Sequence, residues 1–155
     1  MILTSLFLGM EIYKEKTRKN HYMNLIGLDI PKSSVVLKSE DSHGGFHGDG
    51  VLYEEIQLEG DDITIFVKNA LNTNYWRKLP MDGDLKKLIY GEHGSNYSYG
   101  GCGEMMPKDI ANGLYYFNDR YYTHEGSIFD RYSQNFNFAL FDINKGKLYI
   151  LKFDS

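Results

Sequence analysis

The sequence predicts an α+β fold, built as a mostly antiparallel sheet with helices packed on one face. Residues 63–71 repeat apolar side chains at helical spacing, whereas Phe136, Phe138 and Leu140 alternate with polar or small residues, as strand residues do. Aromatic residues make up 15% of the chain, with 13 Tyr and 9 Phe against only 3 Pro. Such large rings favour strands and a small, stiff core.

Size and charge narrow the classes of protein that the chain can belong to. At 155 residues it has room for one domain, which we assign to residues 21–155, after an N-terminal segment over residues 1–20. The formal net charge is −4, so the chain lacks the excess of basic residues that is typical of nucleic-acid-binding proteins, and no nucleic-acid partner is expected. The single cysteine, Cys102, excludes an intramolecular disulfide and an all-cysteine zinc site.

The N-terminal segment allows three interpretations. Residues 1–10 are mostly apolar and residues 11–20 strongly charged, but a transmembrane helix needs about 20 apolar residues, so no transmembrane span is expected. The apolar run is the start of a packed helix, the remnant of an export signal, or an extension upstream of a true start at Met10. We favour the packed helix. The expected location is cytoplasmic for the sequence as written, and the cell envelope if residues 1–9 are a signal remnant.

A hairpin and a helix follow this segment. Residues 33–39 and 51–58 are predicted strands, joined by a glycine-rich loop. The side chains expected to face inward are Val51, Tyr53 and, after a slip in the alternation, Ile56 and Leu58. Asp61 and Asp62 are typical of a helix start, where they would accept first-turn N–H groups, and the predicted helix ends at 72–74.

The second half of the chain alternates between turns and strands. Trp76 is expected to pack with Leu79 and with the apolar face of the preceding helix, and residues 84–90 form a short helix or turn. Residues 91–103 hold five Gly and no aliphatic side chain, which predicts an exposed loop. Strand signals return over 113–119, and residues 136–153 predict a hairpin that turns at 144–146.

The run from Asp41 to Gly50 concentrates the residue types that carry chemistry. It reads Asp-Ser-His-Gly-Gly-Phe-His-Gly-Asp-Gly, and a loop of this kind could bring His43, His47 and Asp49 to one metal ion, zinc being the candidate. The alternative is a tight loop in which glycine supplies the turns and the histidines bond to backbone or contact a partner. No cofactor is expected, although zinc stays open.

Two arginines stand beside aspartate and tyrosine, at Arg120 and Arg131. This combination suits a recognition patch on the surface, because Arg and Tyr dominate binding hot spots. It equally suits arginine–carboxylate pairs that fix a loop to the sheet. The candidate residues for binding a partner or ligand are Asp41, His43, Phe46, His47, Asp49, Arg120 and Arg131.

Charge is unevenly distributed along the chain. Residues 40–62 carry eight acidic side chains and no Lys or Arg, whereas residues 11–20 carry four basic side chains and two acidic ones. Segregation of this kind can steer a partner. It is also what a solvated strand face and a helix start produce.

The run from Asp41 to Gly50 resembles a motif in small uncharacterised proteins of Gram-positive bacteria, several of which look like lipoproteins. Further matching stretches lie at 76–80, 112–120, 135–142 and the C-terminal strand, so the resemblance covers most of residues 25–155. The family carries no established activity or cofactor. It raises the expectation that residues 1–9 descend from an export signal, although Met10 stands where the family pattern has the lipid-bearing cysteine.

These observations favour a binding protein over an enzyme. The sequence contains no phosphate-binding loop, dinucleotide fingerprint, G-x-S-x-G or H-E-x-x-H motif. We expect a non-enzymatic module that binds another macromolecule, with a protein partner of an immunity-like, phage-related or envelope kind. The alternatives are a metal- or small-ligand-binding protein that uses the loop of His43, His47 and Asp49, and an accessory lipoprotein domain.

Overall fold

The computed structural model of the protein describes residues 2–44, 48–91, 102–121 and 127–155. The helices are α1 (Ile2–Ile26), α2 (Asp61–Leu71), α3 (Gly83–Tyr90) and the single turn α4 (Cys102–Met105). The strands are β1 (Val35–Asp41), β2 (Gly50–Gln57), β3 (Trp76–Lys78), β4 (Gly113–Asp119), β5 (Asn135–Asp142) and β6 (Lys147–Asp154). Most of the predicted loop over 91–103 lies outside the described residues.

The six strands form one sheet in the order β1-β2-β6-β5-β4-β3, and every neighbouring pair is antiparallel. This confirms the predicted α+β class and the antiparallel sheet. β5 and β6 lie at the centre, while β1 and the three-residue β3 form the two edges.

Helices cover both faces of the sheet, which corrects the expectation of one covered face. α1 and α2 pack on the face that carries Phe141 and Ile150, and α3 packs on the opposite face, against Phe136 and Phe138. The reason lies in β5, where seven of eight residues are buried. A strand that is apolar on both faces must be covered on both.

The same reasoning removes the slip that was expected in β2. Val51 and Tyr53 belong to the α3 face, whereas Ile56 belongs to the α1 face, so the strand alternates regularly and buries residues on both sides. The irregularity lies instead in β1, as a bulge between Val36 and Lys38.

The predicted helix over residues 61–71 is confirmed as α2. It buries Phe66 and Ala70, which stand one turn apart on the inner face. Gly60 occupies the N-cap position, with φ of 54°, so Asp61 and Asp62 lie inside the first turn rather than capping it. There their charges complement the positive end of the helix dipole.

Trp76 is buried as expected, with 4% of its surface exposed. Its Nε1 donates to the Ile26 carbonyl at 3.0 Å, and its ring meets that of Phe66 edge-on at 5.4 Å. Leu79 does not join this contact, because it packs against the cluster on the α3 face. The alternation of strand residues separates the two side chains.

The C-terminal hairpin of β5 and β6 is confirmed, with its turn at Asn144–Gly146. Gly146 has φ of 64°, and a Cβ atom at this position would lie 2.3 Å from the Leu58 carbonyl oxygen. The Leu58 N–H donates to the Gly146 carbonyl at 2.8 Å, which ties the turn to the end of β2. Both requirements make glycine necessary here.

α1 runs across the sheet from the β3 edge to β2. Near its C-terminal end, the carbonyl of Ile26 accepts from Trp76 on β3 and that of Leu25 accepts from Asn137 on β5. One turn earlier, His21 contacts Glu54 on β2. Farther toward the N-terminus, Arg18 donates to the Ile30 carbonyl in the segment before β1. Residues 11–17, which we call the extended half of α1, are all exposed.

α1 continues from the predicted N-terminal segment into the domain without a break, as a single helix over Ile2–Ile26. Within the described residues, no helix combines the length and apolar character that crossing a membrane requires.

Candidate functional site

The strand ends gather several predicted site residues at one end of the sheet. The register pairs Asp154 with both Gly50 and Asn135, and it places Asp119 opposite Phe136, so β2, β4, β5 and β6 all reach this end. We call the side chains that meet here the sheet-end cluster. Its members are Asp41, His43, Arg120, Asn137, Lys152 and Asp154.

His43 connects two carboxylates. Its Nδ1 lies 2.5 Å from Asp41 Oδ1 and its Nε2 lies 2.9 Å from Asp154 Oδ2. The His43 backbone N–H also donates to Asp41 Oδ1 at 2.9 Å. Since ionised carboxylates only accept, and a neutral imidazole donates from one nitrogen, both contacts are hydrogen bonds only when His43 is an imidazolium.

Asp154 is the centre of the cluster. Arg120 Nη2 donates to its Oδ1 at 2.6 Å, and Lys152 Nζ lies 3.0 Å from its Oδ2. Burial of Asp154 tends to raise the pKa of this carboxyl, but the hydrogen bonds from Arg120 and Lys152 outweigh burial and hold the pKa below its ordinary value. Asp154 is therefore ionised at neutral pH, where it pairs with the cations of Arg120 and Lys152 and contacts His43.

Arg120 extends the network to α1. Its Nε donates to Asn137 Oδ1 at 2.8 Å, and its Nη2 donates to the Phe153 carbonyl at 3.1 Å. Asn137 is buried and donates in turn to the Leu25 carbonyl at 3.0 Å. This carbonyl belongs to the last turn of α1, where it has no partner inside the helix. The cluster thus joins the loop after β1 to the end of α1.

Arg131 lies in a separate pair and does not enter the cluster. Its Nη1 donates to Asp119 Oδ2 at 2.7 Å, and its guanidinium lies 4.7 Å from the centre of the Tyr121 ring. Most of the side chain is buried. The contact matches the expected arginine–carboxylate pair that fixes a loop to the sheet, rather than an exposed recognition group.

A second polar contact lies under α1 and was not predicted. Glu54 is 6% exposed, accepts from Ser39 Oγ at 3.2 Å and lies 3.4 Å from His21 Nε2. The hydrogen bond to Glu54 raises the pKa of His21, although burial opposes the shift. The alternation of Leu52, Glu54 and Ile56 on one face was the available signal for a buried acid.

The structure divides the predicted site residues. It brings Asp41, His43 and Arg120 together through Asp154, which sequence reasoning missed because this residue lies 111 positions from His43. Asp49 is exposed and makes no hydrogen bond or ion pair within the described part of the chain. Phe46 and His47 lie outside the described residues.

The zinc prediction concerns the same loop. Across residues 2–44, 48–91, 102–121 and 127–155, no three His, Cys, Asp or Glu side chains are grouped to hold a metal ion. His47, one of the three proposed ligands, is outside those ranges. For His43 to bind zinc, one ring nitrogen would have to leave Asp41 or Asp154, so its present contacts favour a structural role.

The β1 edge is a different kind of surface. All seven residues of β1 are exposed, and Val35, Val36 and Leu37 expose 56%, 46% and 51% of their surfaces. The Ser42 N–H donates inward to the Val51 carbonyl at 2.9 Å. Backbone groups alternate in direction along a strand, so those of Ser39 and Asp41 point outward, away from β2.

An open hollow lies along one face of the extended half of α1. Tyr13, Lys14, Thr17, Arg18 and His21 border it, and its volume is about 380 Å³. These side chains share the helix face that reaches Glu54 through His21. Tyr13 is 72% exposed, which shows that this face is uncovered beyond the sheet.

Two features are therefore candidates for function, the sheet-end cluster and the β1 edge with the helix face above it. The charged groups of the cluster bond to one another, whereas the outward backbone groups of β1 have no strand beside them in the described structure. The geometry carries the functional argument, because no protein-family model matches the chain and no curated protein or solved structure is significantly similar to it.

Proposed function

We propose that the protein is a non-enzymatic module that binds another protein by accepting a strand at the β1 edge. The observation that carries the proposal is the exposure of β1 along its whole length, with three adjacent aliphatic side chains about half exposed. Natural edge strands are usually short, covered or interrupted, because an open one pairs readily with other chains. Strand addition is an established mode of protein recognition.

The sheet-end cluster supports this function as a scaffold. Its contacts hold both ring nitrogens of His43 on the carboxylates of Asp41 and Asp154, and they hold Asp154 on Arg120 and Lys152. A general base needs a free acceptor within reach of a substrate proton. What the cluster does instead is hold the segment after β1 against β6, and this holds the end of the edge strand in place.

The position of α1 adds a second surface for a bound strand. A strand beside β1 would lie below the part of α1 that carries Tyr13, which would cover its side chains on that face. The partner would therefore gain backbone hydrogen bonds from β1 and side-chain contacts from α1. A nucleic-acid partner fits less well, because the net charge is −4 and residues 40–62 are acidic.

The experiment compares two substitutions of Ser39, whose N–H points outward. Ser39→Pro removes this donor without removing a bond of the β1–β2 ladder, and proline is tolerated at such edge positions. Ser39→Ala is the matched control, since both variants lose the hydroxyl bond to Glu54 while only alanine keeps the N–H. The probe is a displayed library of random peptides of about 12 residues, long enough to span β1.

We expect peptides selected on the unmodified protein to bind Ser39→Ala equally and Ser39→Pro at least about tenfold more weakly. The test is made at submicromolar protein concentration. Equal binding to both variants, or a library that yields no binder, would overturn the proposal.

The metal-binding alternative is the weaker proposal. Only His43 and Asp49 of its three ligands are described, and both ring nitrogens of His43 face carboxylates. We expect added zinc to leave the melting temperature of the protein unchanged, and a rise that His43→Ala abolishes would favour the alternative.

A further inference from the structure

We propose that the strand accepted at the β1 edge comes from a second copy of this chain, which pairs antiparallel with β1 and places Ser39 opposite Ser39 of the partner copy. The inference rests on the proposed function and names its partner. It follows from the direction of the backbone groups, the charge pattern of β1 and the extension of α1.

The backbone allows this pairing. A twofold antiparallel pair can be centred on a residue whose N–H and C=O both point outward, and Ser39 is such a residue. The two Ser39 residues would then exchange two hydrogen bonds across the axis. A pair of this kind is isologous, so it closes at two copies and leaves no further β1 edge.

Charge selects the register. With Ser39 at the centre, Lys38 of each copy stands opposite Glu40 of the other, which gives two ion pairs. Centring the pair on Lys38, Glu40 or Asp41 would instead place identical charges opposite each other. Among symmetric registers centred on these four residues, only the Ser39 register pairs opposite charges.

The two charged side chains already stand on one face of β1. Lys38 Nζ lies 3.0 Å from Glu40 Oε2 within the strand and 5.3 Å from the centre of the Tyr53 ring. Tyr53 belongs to the α3 face, so Lys38 and Glu40 point away from α1. In the pair, the four charges of two copies would form a ring of alternating sign on that face.

α1 supplies the cover for the opposite face. His21 contacts Glu54 on β2, one strand in from the edge. Tyr13 lies eight residues before His21, about 12 Å along the helix axis, while neighbouring strands are about 4.8 Å apart. Tyr13 therefore lies above the place that the partner's β1 would take, about two strand spacings from β2, and the open hollow beside it would be filled.

The charge distribution along the chain fits the same arrangement. Residues 11–20 of α1 carry four basic side chains against two acidic ones, while the β1–β2 loop and β2 belong to the acidic run over residues 40–62. In the pair, α1 of each copy lies over the hairpin of the other. Basic and acidic segments of different copies thus approach each other, which steers the encounter.

The experiment measures the molar mass of the full chain by light scattering and by sedimentation equilibrium. We expect a concentration-dependent dimer, and Lys38→Glu and Glu40→Lys should each weaken it by about tenfold or more, because each makes both cross-strand pairs repulsive. An equal mixture of the two variants should form a heterodimer, since every pair then joins Lys to Glu. The double variant Lys38→Glu/Glu40→Lys should recover the homodimer.

Lys68→Glu, the same charge change at an exposed position on α2, is the control and should dimerise normally. Circular dichroism confirms that each variant folds. A chain that stays monomeric to about 1 mM overturns the dimer. The proposal is also overturned if Lys38→Glu and Glu40→Lys dimerise as tightly as the unmodified protein, or if the equal mixture of the two forms no heterodimer. If displayed peptides still bind in the Ser39-dependent manner, the proposed function stands without the dimer, and if they do not, both proposals fall.

Discussion

Asp154 is the residue on which the charged groups at the end of the sheet depend. It binds His43, Arg120 and Lys152, and only 16% of its side-chain surface is exposed. Removing one partner from a largely buried ion network leaves the opposite charges buried and unpaired. The loss of stability is then larger than the net contribution of the ion pair to folding. The carboxylate therefore stabilises the fold mainly because it prevents uncompensated cations at this site.

We expect Asp154→Asn to lower the free energy of unfolding by about 2–3 kcal/mol at pH 7, as measured by urea denaturation. Asp49→Asn, on an exposed side chain, is the control and should change it by less than about 0.5 kcal/mol. The pKa of Asp154 is lowered from 3.8, so its contribution is present above pH 3.8 and is lost as the pH falls through the lower folded value. Equal stability of the two variants at pH 7 would refute the role of Asp154.

His21 gives a pH dependence of opposite sign. The pKa of His21 is raised from 6.5 by the hydrogen bond to Glu54. The folded protein therefore binds the His21 proton more tightly than the unfolded chain does. The stabilisation is complete below pH 6.5 and disappears as the pH rises through the higher folded value. Because 41% of the His21 side chain is exposed, solvent screening keeps the effect below about 1 kcal/mol.

The measurement compares the protein with His21→Gln by urea denaturation at pH 5.5 and pH 8.5, on either side of the ordinary histidine pKa of about 6.5. We expect the unmodified protein to be more stable than the variant at the lower pH and to lose that advantage at the higher one. An advantage that grows with pH would show that the neutral ring is the preferred form.

At the scale of the elements, local patterns explain much of the fold. α2 and the β5–β6 hairpin follow from helical and strand periodicity, with turn residues between them, and both were predicted within a residue or two. The site was predicted less well. His43 and Asp41 are close in sequence, but Asp154 joins them only through the sheet, as Glu54 joins His21, and local pattern carries no information about which strands pair.

The turn between β5 and β6 provides a test at this scale. Gly146→Ala should lower the free energy of unfolding by at least about 2 kcal/mol, because φ is 64° and the added Cβ would collide with the Leu58 carbonyl at 2.3 Å. Gly83→Ala is the matched control. Gly83 lies in the first turn of α3 with nothing within 4 Å, so alanine should stabilise the protein by up to about 1 kcal/mol. Thermal denaturation of both variants gives the comparison.

For the whole molecule, burial on both faces of the sheet sets a gradient of stability from the centre to the edge. β5 is buried along nearly its whole length, whereas β1 is exposed along all of it. Regions with few buried contacts open at lower free energy than the core. The edge that is proposed to bind a partner is thus also the part of the sheet that is easiest to rearrange.

Amide hydrogen exchange checks this gradient, measured in the Ser39→Pro variant so that no second strand protects the edge. We expect amides of β5 and β6 to exchange at the rate of global unfolding, and those of β1 to exchange by local opening, faster by about a hundredfold or more. Uniform protection across the six strands would mean that the sheet opens only as a unit.

The sequence by itself determined the α+β class, the positions of α2, α3 and the C-terminal hairpin, and the burial of Trp76. Each of these depends on the period of apolar residues within about 10–15 neighbours. Only the tertiary structure decided the strand order, the cover on both faces and the contact of His43 with Asp154 across 111 residues. These depend on which strands pair and in which register, and that choice is made by the packing of the whole core.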